Sequence, residues 1–288
     1  MVFHVIVLSL LLLTVTSVKH SRIPLSPISV KKDVINTISF FTIVSGGLFP
    51  QVVLGNDINF MEKYPYSKPS DILHYIYDTA EEGNVNSVLT AMDKFSRVYP
   101  MYKLSPEKVN FLNNAIATTK SQKILELGTF FGYSALNIAK SMTKTSFLTT
   151  VEGNSLNFEV ANVILDYALK FDPELRKRIK IVPMNSDKYL ESLTSTNAYD
   201  FVYLDHDKNC YLHDIEYLLN NNLVGNVATV VADNIIFPGS PGYLEYMESK
   251  FGIDNTKIKY FPFERVGFET NFKEVKDGMS ITRIQINA

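Results

Sequence analysis

Three short stretches of the chain concentrate side chains that could do chemistry. Leu204-Asp205-His206-Asp207-Lys208 and Ala232-Asp233-Asn234 each place acidic or amide oxygens directly after an apolar run. Two carboxylates and one amide oxygen are hard donors suited to Mg2+, and they leave octahedral positions for water and a bidentate oxygen substrate. Lys208 stands three residues past Asp205 and can reach the same place. It serves as a proton acceptor only in its neutral form, which a neighbouring dication favours. The third stretch, Glu126 to Ser134, reads Glu-Leu-Gly-Thr-Phe-Phe-Gly-Tyr-Ser and precedes a helical pattern that starts near Ala135. Gly128 and Gly132 allow a tight turn and close approach of backbone to a ligand, while Ser134 can cap the helix. The spacing is not that of the G-x-G-x-x-G dinucleotide fingerprint. Glu152 lies 26 residues after Glu126 at the end of the next apolar run, where an acidic side chain can accept both ribose hydroxyls. A nucleoside cofactor without a pyrophosphate cradle fits this set. The plainer alternative stays open: glycines that serve only a turn, a solvated Glu152, Asp233-Asn234 as a turn and Lys208 as a surface charge.

The elements that must position these residues alternate in type. From Ser70 onward, helical stripes (Ile72, Ile76 and Tyr77; then Val88, Met92 and Phe95 after a break at Gly83) lead to Ser105-Pro106, an N-cap followed by proline at the first helical position. Val109, Leu112 and Ile116 are the expected buried face of that helix. Strands are expected at Lys123–Leu127, Phe147–Glu152, Ile179–Pro183, Asp200–Asp205, Val227–Asp233, Lys257–Phe263 and Ser280–Ile286, with helical patterns between the first five. This predicts an α/β fold: a doubly wound, seven-stranded, mostly parallel sheet with helices on both faces, closed by a late antiparallel hairpin. The candidate residues then fall at strand carboxyl ends, where such sheets bind ligands.

Composition narrows the classes. The 288 residues are 46% apolar and 20% charged with a net charge of −2, so nothing drives the chain toward nucleic acid through counterion release. Cys210 is the single cysteine, and His74, His206 and His213 are the three of five histidines beyond residue 20. A thiolate cluster is excluded and a histidine zinc site is disfavoured, while carboxylate-held hard cations stay open. Cys210, Tyr211 and His213 read as packing or surface groups.

Residues 1–18 form an apolar membrane anchor or a signal segment. Val2 to Val18 would span about 26 Å as a helix, slightly less than a bilayer core of roughly 30 Å. Val15 and Ser17 suit cleavage, but no basic residue precedes the run, and Lys19, Arg22, Lys31 and Lys32 follow it. The basic flank favours an anchor with the catalytic domain in the cytosol; the alternative is secretion after cleavage. Residues 19–69 are a linker or juxtamembrane segment ending in the proline-containing Lys63–Pro69, and 70–288 form the folded domain.

From about Asp71 to Ile284 the motifs resemble the cation-dependent O-methyltransferases, and within them the catechol branch. The resemblance rests on Glu126 to Ser134, Asp205-His206 with Lys208, Asp233-Asn234 followed by Phe237-Pro238-Gly239, and Val275-Lys276-Asp277-Gly278. It implies transfer of a methyl group from S-adenosylmethionine to one hydroxyl of a catechol bound to Mg2+. Cofactor contacts would come from Leu104, Glu126, Gly128, Ser134, Glu152, Ser186 and Asp205. Metal ligands would be Asp205, Asp233 and Asn234, with Lys208 as general base. The substrate would meet Lys208, Asn234, Pro238 and a glutamate after the sixth strand, Glu264, with Glu269 a competitor. A monomeric catalytic domain is expected. The family's slot tryptophans fall near Pro100 and at Asp207, and this chain has no Trp. Other vicinal-diol aromatics, of caffeoyl or flavonoid type, are the alternative substrates. A non-catalytic, membrane-tethered scaffold is the rival class, although a scaffold has no physical need for three metal ligands and a base.

Overall fold

A computed structural model describes residues 71–98, 101–195, 198–262 and 276–286. The expected anchor and linker, together with Glu264 and Glu269, lie outside the described residues. Helices α1 (Asp71–Thr79), α2 (Val85–Val98) and α3 (Pro106–Thr119) precede strand β1 (Lys123–Leu127). Then follow α4 (Tyr133–Ser141), β2 (Phe147–Glu152), α5 (Ser155–Ala168), α6 (Pro173–Lys177), β3 (Ile179–Pro183) and α7 (Ser186–Glu191). The second half contains β4 (Tyr199–Leu204), α8 (Tyr211–Asn220), β5 (Val224–Ala232), α9 (Tyr243–Phe251), β6 (Thr256–Pro262) and β7 (Lys276–Gln285). The sheet order is β3-β2-β1-β4-β5-β7-β6. β1 to β5 pair in parallel, and β7 inserts antiparallel between β5 and β6.

Successive side chains of a strand face opposite ways, and this places the core and the site. Leu125, Leu127, Val202, Leu204, Val230 and Ala232 join Leu190, Tyr211, Ile215, Leu218, Tyr243 and Met247 in one apolar layer beneath α7, α8 and α9. Ile124, Glu126 and Tyr203 therefore face the other side, which α4 and α5 cover. Full burial of Leu125, Leu127, Val202 and Leu204 stabilises by roughly 1.5–3 kcal/mol per side chain, so a slip in strand register is strongly disfavoured. The register aligns Leu127 with Val151 and Leu204, and Leu204 with Ala232. One residue further on, Gly128, Glu152, Asp205 and Asp233 stand side by side. Their row is closed by the bonds Gly128 N to Val151 O (3.0 Å), Asp205 N to Leu127 O (2.9 Å) and Asp233 N to Leu204 O (3.0 Å).

The structure departs from the sequence expectations in four places. β5 starts at Val224 rather than Val227, because Val224 pairs with Tyr199 before an irregularity shifts the register. β7 starts at Lys276 rather than Ser280: the turn-like Asp277-Gly278 pairs with Phe261 and Tyr260 of β6, and the Asp277 carboxylate finds buried donors. In α3 the cap is as expected, with Lys108 N donating to Ser105 Oγ at 3.4 Å. The buried stripe, however, is Lys108, Leu112, Ala115 and Ile116, with Val109 half-buried. Finally, Ser134 does not cap α4. The N-cap is Gly132, in a left-handed conformation (φ 83°), and Ser134 is buried within the first turn.

Gly128 has φ +100°, and a Cβ there would lie 2.5 Å from the Asp205 carbonyl oxygen and 2.7 Å from its carbon. Both obstacles are backbone, so neither can yield by rotating a side chain. Gly128→Ala is expected to destabilise the domain by roughly 1–3 kcal/mol, the cost of a strained backbone position, and to push the β4 loop outward. An unchanged urea unfolding midpoint would contradict this close approach.

Candidate active site

Glu126 leaves β1 on the α4 side and is fully buried. Neither carboxylate oxygen has a hydrogen-bond partner among the described residues. Burial pushes its carboxyl up to about 8; the nearby Ser134 and Thr150 hydroxyls oppose the shift, and the Asp205 and Glu152 charges add to it. Two orphaned, buried acceptors call for a ligand with cationic donors. Glu152 is differently placed. Its Oε2 accepts from Phe130 N at 2.7 Å and its Oε1 from Asn154 N at 2.9 Å. Burial raises its carboxyl, and these bonds oppose the rise. Asn157 Nδ2 adds a second donor to Oε1 at 3.4 Å, so the carboxylate is held facing the β1–α4 turn, and Oε2 keeps a lone pair that can accept a ribose hydroxyl. Phe130 itself takes φ 47° and stacks on Phe131 with ring centroids 3.9 Å apart. Leu104 is buried in the segment before α3.

Beside this half lies a polar network at the ends of β4 and β5. Lys208 Nζ donates to Asp205 Oδ1 at 2.9 Å and to the Tyr211 hydroxyl at 2.8 Å. The Tyr211 hydroxyl lies 2.7 Å from the Leu204 carbonyl and 3.1 Å from the Asp233 carbonyl, donating between them. Burial holds this phenol well above its ordinary range, with Asp205 and Asp233 adding to the effect, so it stays a neutral donor. Tyr211 was read from sequence as packing; it is packing, and its hydroxyl also ties β4, β5 and Lys208 together. Tyr203 donates to Asp205 Oδ2 at 3.1 Å.

Asp233 is almost wholly buried. Its Oδ1 accepts from Lys108 Nζ at 2.6 Å and from Asn234 N at 2.7 Å. Burial and the Asp205 charge raise its carboxyl, against Lys108 and Lys208. Lys108 donates also to Asp277 Oδ2 at 2.5 Å. Burial alone would lower the Lys108 ammonium, but the two carboxylates more than offset this and keep it charged. Asn234 adopts a left-handed backbone (φ 55°) and donates from Nδ2 to Asp277 Oδ2 at 2.7 Å. The exposed Pro238 follows in the turn Ile235–Gly239. Asp205 and Asp233 stand at neighbouring strand ends, with Asn234 one residue further on. Lys108 and Asp277 complete the network; the first was missed and the second was noted only as part of a motif.

Ser186 heads α7 close to Asp214, which is fully buried in α8. Asp214 Oδ2 lies 2.9 Å from His206 Nε2, and its Oδ1 lies 2.9 Å from His213 Nδ1. Burial would raise this carboxyl, but bonds from His206, Ser186 and His213 hold it below the usual range. His206 Nδ1 is buried without a partner among the described residues. His206 and His213 are therefore held by one carboxylate that the sequence gave no reason to single out.

The chain matches the model of a family described as O-methyltransferase over residues 81–283. Catechol O-methyltransferase B of Danio rerio is 28% identical over 187 residues, covering 64% of this chain and 69% of the relative. A transmembrane O-methyltransferase homolog of Mus musculus is 30% identical over 196 residues, covering 65% and 74%. An O-methyltransferase structure from Streptomyces achromogenes, in complex with S-adenosylmethionine, shares the fold with TM-score 0.54 and 19% identity, covering 74% of this chain and 96% of that one. With the doubly wound sheet, its seventh strand antiparallel, and the family model matched over most of its length, the chain belongs to the O-methyltransferases.

Proposed function

We propose that the protein transfers a methyl group from S-adenosylmethionine to one hydroxyl of a catechol held on Mg2+. The observation that carries this reading is the fully buried Glu126 carboxylate with both oxygens unpartnered among the described residues, two residues before the point on β1 that aligns with Asp205 and Asp233. S-adenosylmethionine brings an ammonium and a sulfonium, the cationic chemistry that such a carboxylate lacks in the protein alone. Glu152 would accept the ribose hydroxyls, with Leu104, Gly128, Ser134 and Ser186 shaping the rest of the cofactor's bed. The divalent cation, held by Asp205, Asp233 and Asn234, would supply an electrophilic anchor for two vicinal oxygens. Lys208 takes the proton of the attacking hydroxyl. The oxygen then bonds to the methyl carbon as the carbon–sulfur bond breaks, leaving S-adenosylhomocysteine. Asp205 holds Lys208 at hydrogen-bond distance, so metal ligand and base are set by one side chain, and orientation supplies much of the rate. Pro238 and Glu264 would flank the substrate.

The proposed location is the membrane, through residues 1–18, with the catalytic domain in the cytosol. The apolar run with its basic flank supports this, as does kinship with a relative named for a transmembrane segment. No helix among the described residues is long and apolar enough to cross a membrane.

Asp233→Ala is expected to abolish Mg2+-dependent turnover. Lys208→Ala should leave catechol binding intact and lower kcat, by about 10²–10⁴-fold for loss of a general base. A Lys208→Ala enzyme changed only in KM would exclude the base assignment.

The Glu126 carboxyl stands near 8 in the fold against 4.5 in the open chain. Its contribution to stability is therefore complete below about pH 4.5 and is lost as pH rises through about 8. The cofactor-free wild type should lose stability relative to Glu126→Gln between about pH 5 and pH 8 in urea unfolding, and S-adenosylmethionine should reduce that loss. Parallel pH profiles for the two proteins would show that Glu126 does not titrate in this window.

The full-length protein should stay in the membrane fraction through high-salt washing and require detergent for release. Deleting residues 1–62 should release an active soluble domain. A mature form beginning at Val18 and found in the medium would instead make this a secreted enzyme.

A further inference from the structure

Asp277 is 1% exposed and uses its carboxylate completely. Oδ2 accepts from Lys108 Nζ at 2.5 Å and from Asn234 Nδ2 at 2.7 Å. Oδ1 accepts from Gly278 N at 2.6 Å and from Phe237 N at 3.1 Å. Four donors fill the four lone-pair positions of a carboxylate, which leaves nothing for a cation or a substrate. A carboxylate can only accept, so the group that Asn234 turns toward it must be the NH2, and the amide oxygen must point away. On the other side, Lys108 is shared between Asp277 and Asp233, and both hydrogen bonds to the Asp233 carboxylate fall on Oδ1.

We infer that Asp277 is a positioning residue: it turns the Asn234 amide oxygen into the site and holds Lys108 on one edge of Asp233, so that the two neighbours present their outward oxygens to one divalent cation. The inference rests on the metal reading above. It assigns a purpose to the burial of Asp277 in β7, a strand whose other buried side chains are hydroxyl or apolar groups. Outer groups that orient a metal ligand typically change metal affinity by 10- to 100-fold when removed.

Asp277→Asn tests this. With its oxygen kept on the Phe237 and Gly278 N–H groups, the new amide turns its NH2 toward Asn234, and two donors then face each other. The Mg2+ dissociation constant of the full-length protein, measured by calorimetry with MgCl2 alone, should rise about tenfold or more, while S-adenosylmethionine binding holds steady. The exchanged pair, Asn234→Asp with Asp277→Asn, restores one donor facing one acceptor at residue 234, though not at Lys108, and should recover part of the lost Mg2+ affinity. A purely structural role would not be rescued by the exchange. In the wild type itself, independent of any variant's folding, the Asn234 side-chain amide protons should exchange slowly with solvent by NMR. Fast exchange, wild-type Mg2+ affinity in Asp277→Asn, or an exchanged pair no better than the single variant would each overturn the inference. A wild type that binds no Mg2+ would overturn the metal reading as well, whereas the other outcomes leave that reading standing.

Discussion

Parallel strands that end together bring their terminal side chains together, and here that crowds Glu126, Glu152, Asp205 and Asp233 into one region with Asp277 beside them. Buried carboxylates cannot share a site without counter-charges. Lys108, lying between Asp233 and Asp277 at 2.6 and 2.5 Å, neutralises the most buried part of the set. Removing one member of such a buried group typically costs about 3–5 kcal/mol, because it strands the charge left behind. The same ammonium joins α3 to β5 and β7, so helix, central sheet and hairpin are tied at the point where chemistry is proposed. Lys208, by contrast, pairs with Asp205 at a partly open position, where the proposed base would meet substrate.

The two halves of the site differ in how completely the protein satisfies itself. In the half at the ends of β4 and β5 the described carboxylates are paired: Asp205 with Lys208 and Tyr203, Asp233 with Lys108, Asp277 with four donors. In the cofactor half Glu126 has no partner among the described residues and sits neutral up to about pH 8. A ligand carrying positive charge would complete that half. Asp214 supports its rim by holding His206, in the loop after β4.

Much of this was legible in the sequence. β1, β2 and β3 begin and end where their apolar runs do, because Gly128, Gly153 and the segment after Pro183 punctuate them. Asp205, Asp233 and Asn234 could be placed together because parallel strands must end on one side. Lys108 was legible in principle: it falls on the i, i+4, i+8 stripe with Leu112 and Ile116, where a lysine is out of place unless it is paired. Asp277 was not, since its partners lie 43 and 169 positions away and Asp-Gly by itself reads as a turn. Asp214 was hidden for the same reason, as a helical carboxylate whose bond to His206 exists only in the fold. The periods of helix and strand report which face is buried. They do not report which polar groups meet across elements.

The central claim is that the Asp205, Asp233, Asn234 and Lys208 set works on two vicinal hydroxyls beside a donor held at Glu126. Transfer of a labelled methyl group from S-adenosylmethionine to a panel of catechols, caffeoyl and flavonoid diols and their mono-hydroxyl counterparts, with Mg2+ or with chelator, tests it most directly. Product from the vicinal diols alone, with Mg2+ required, is the predicted result. Binding of S-adenosylmethionine with no turnover on any diol, or equal methylation of mono-hydroxyl compounds in chelator, would contradict it.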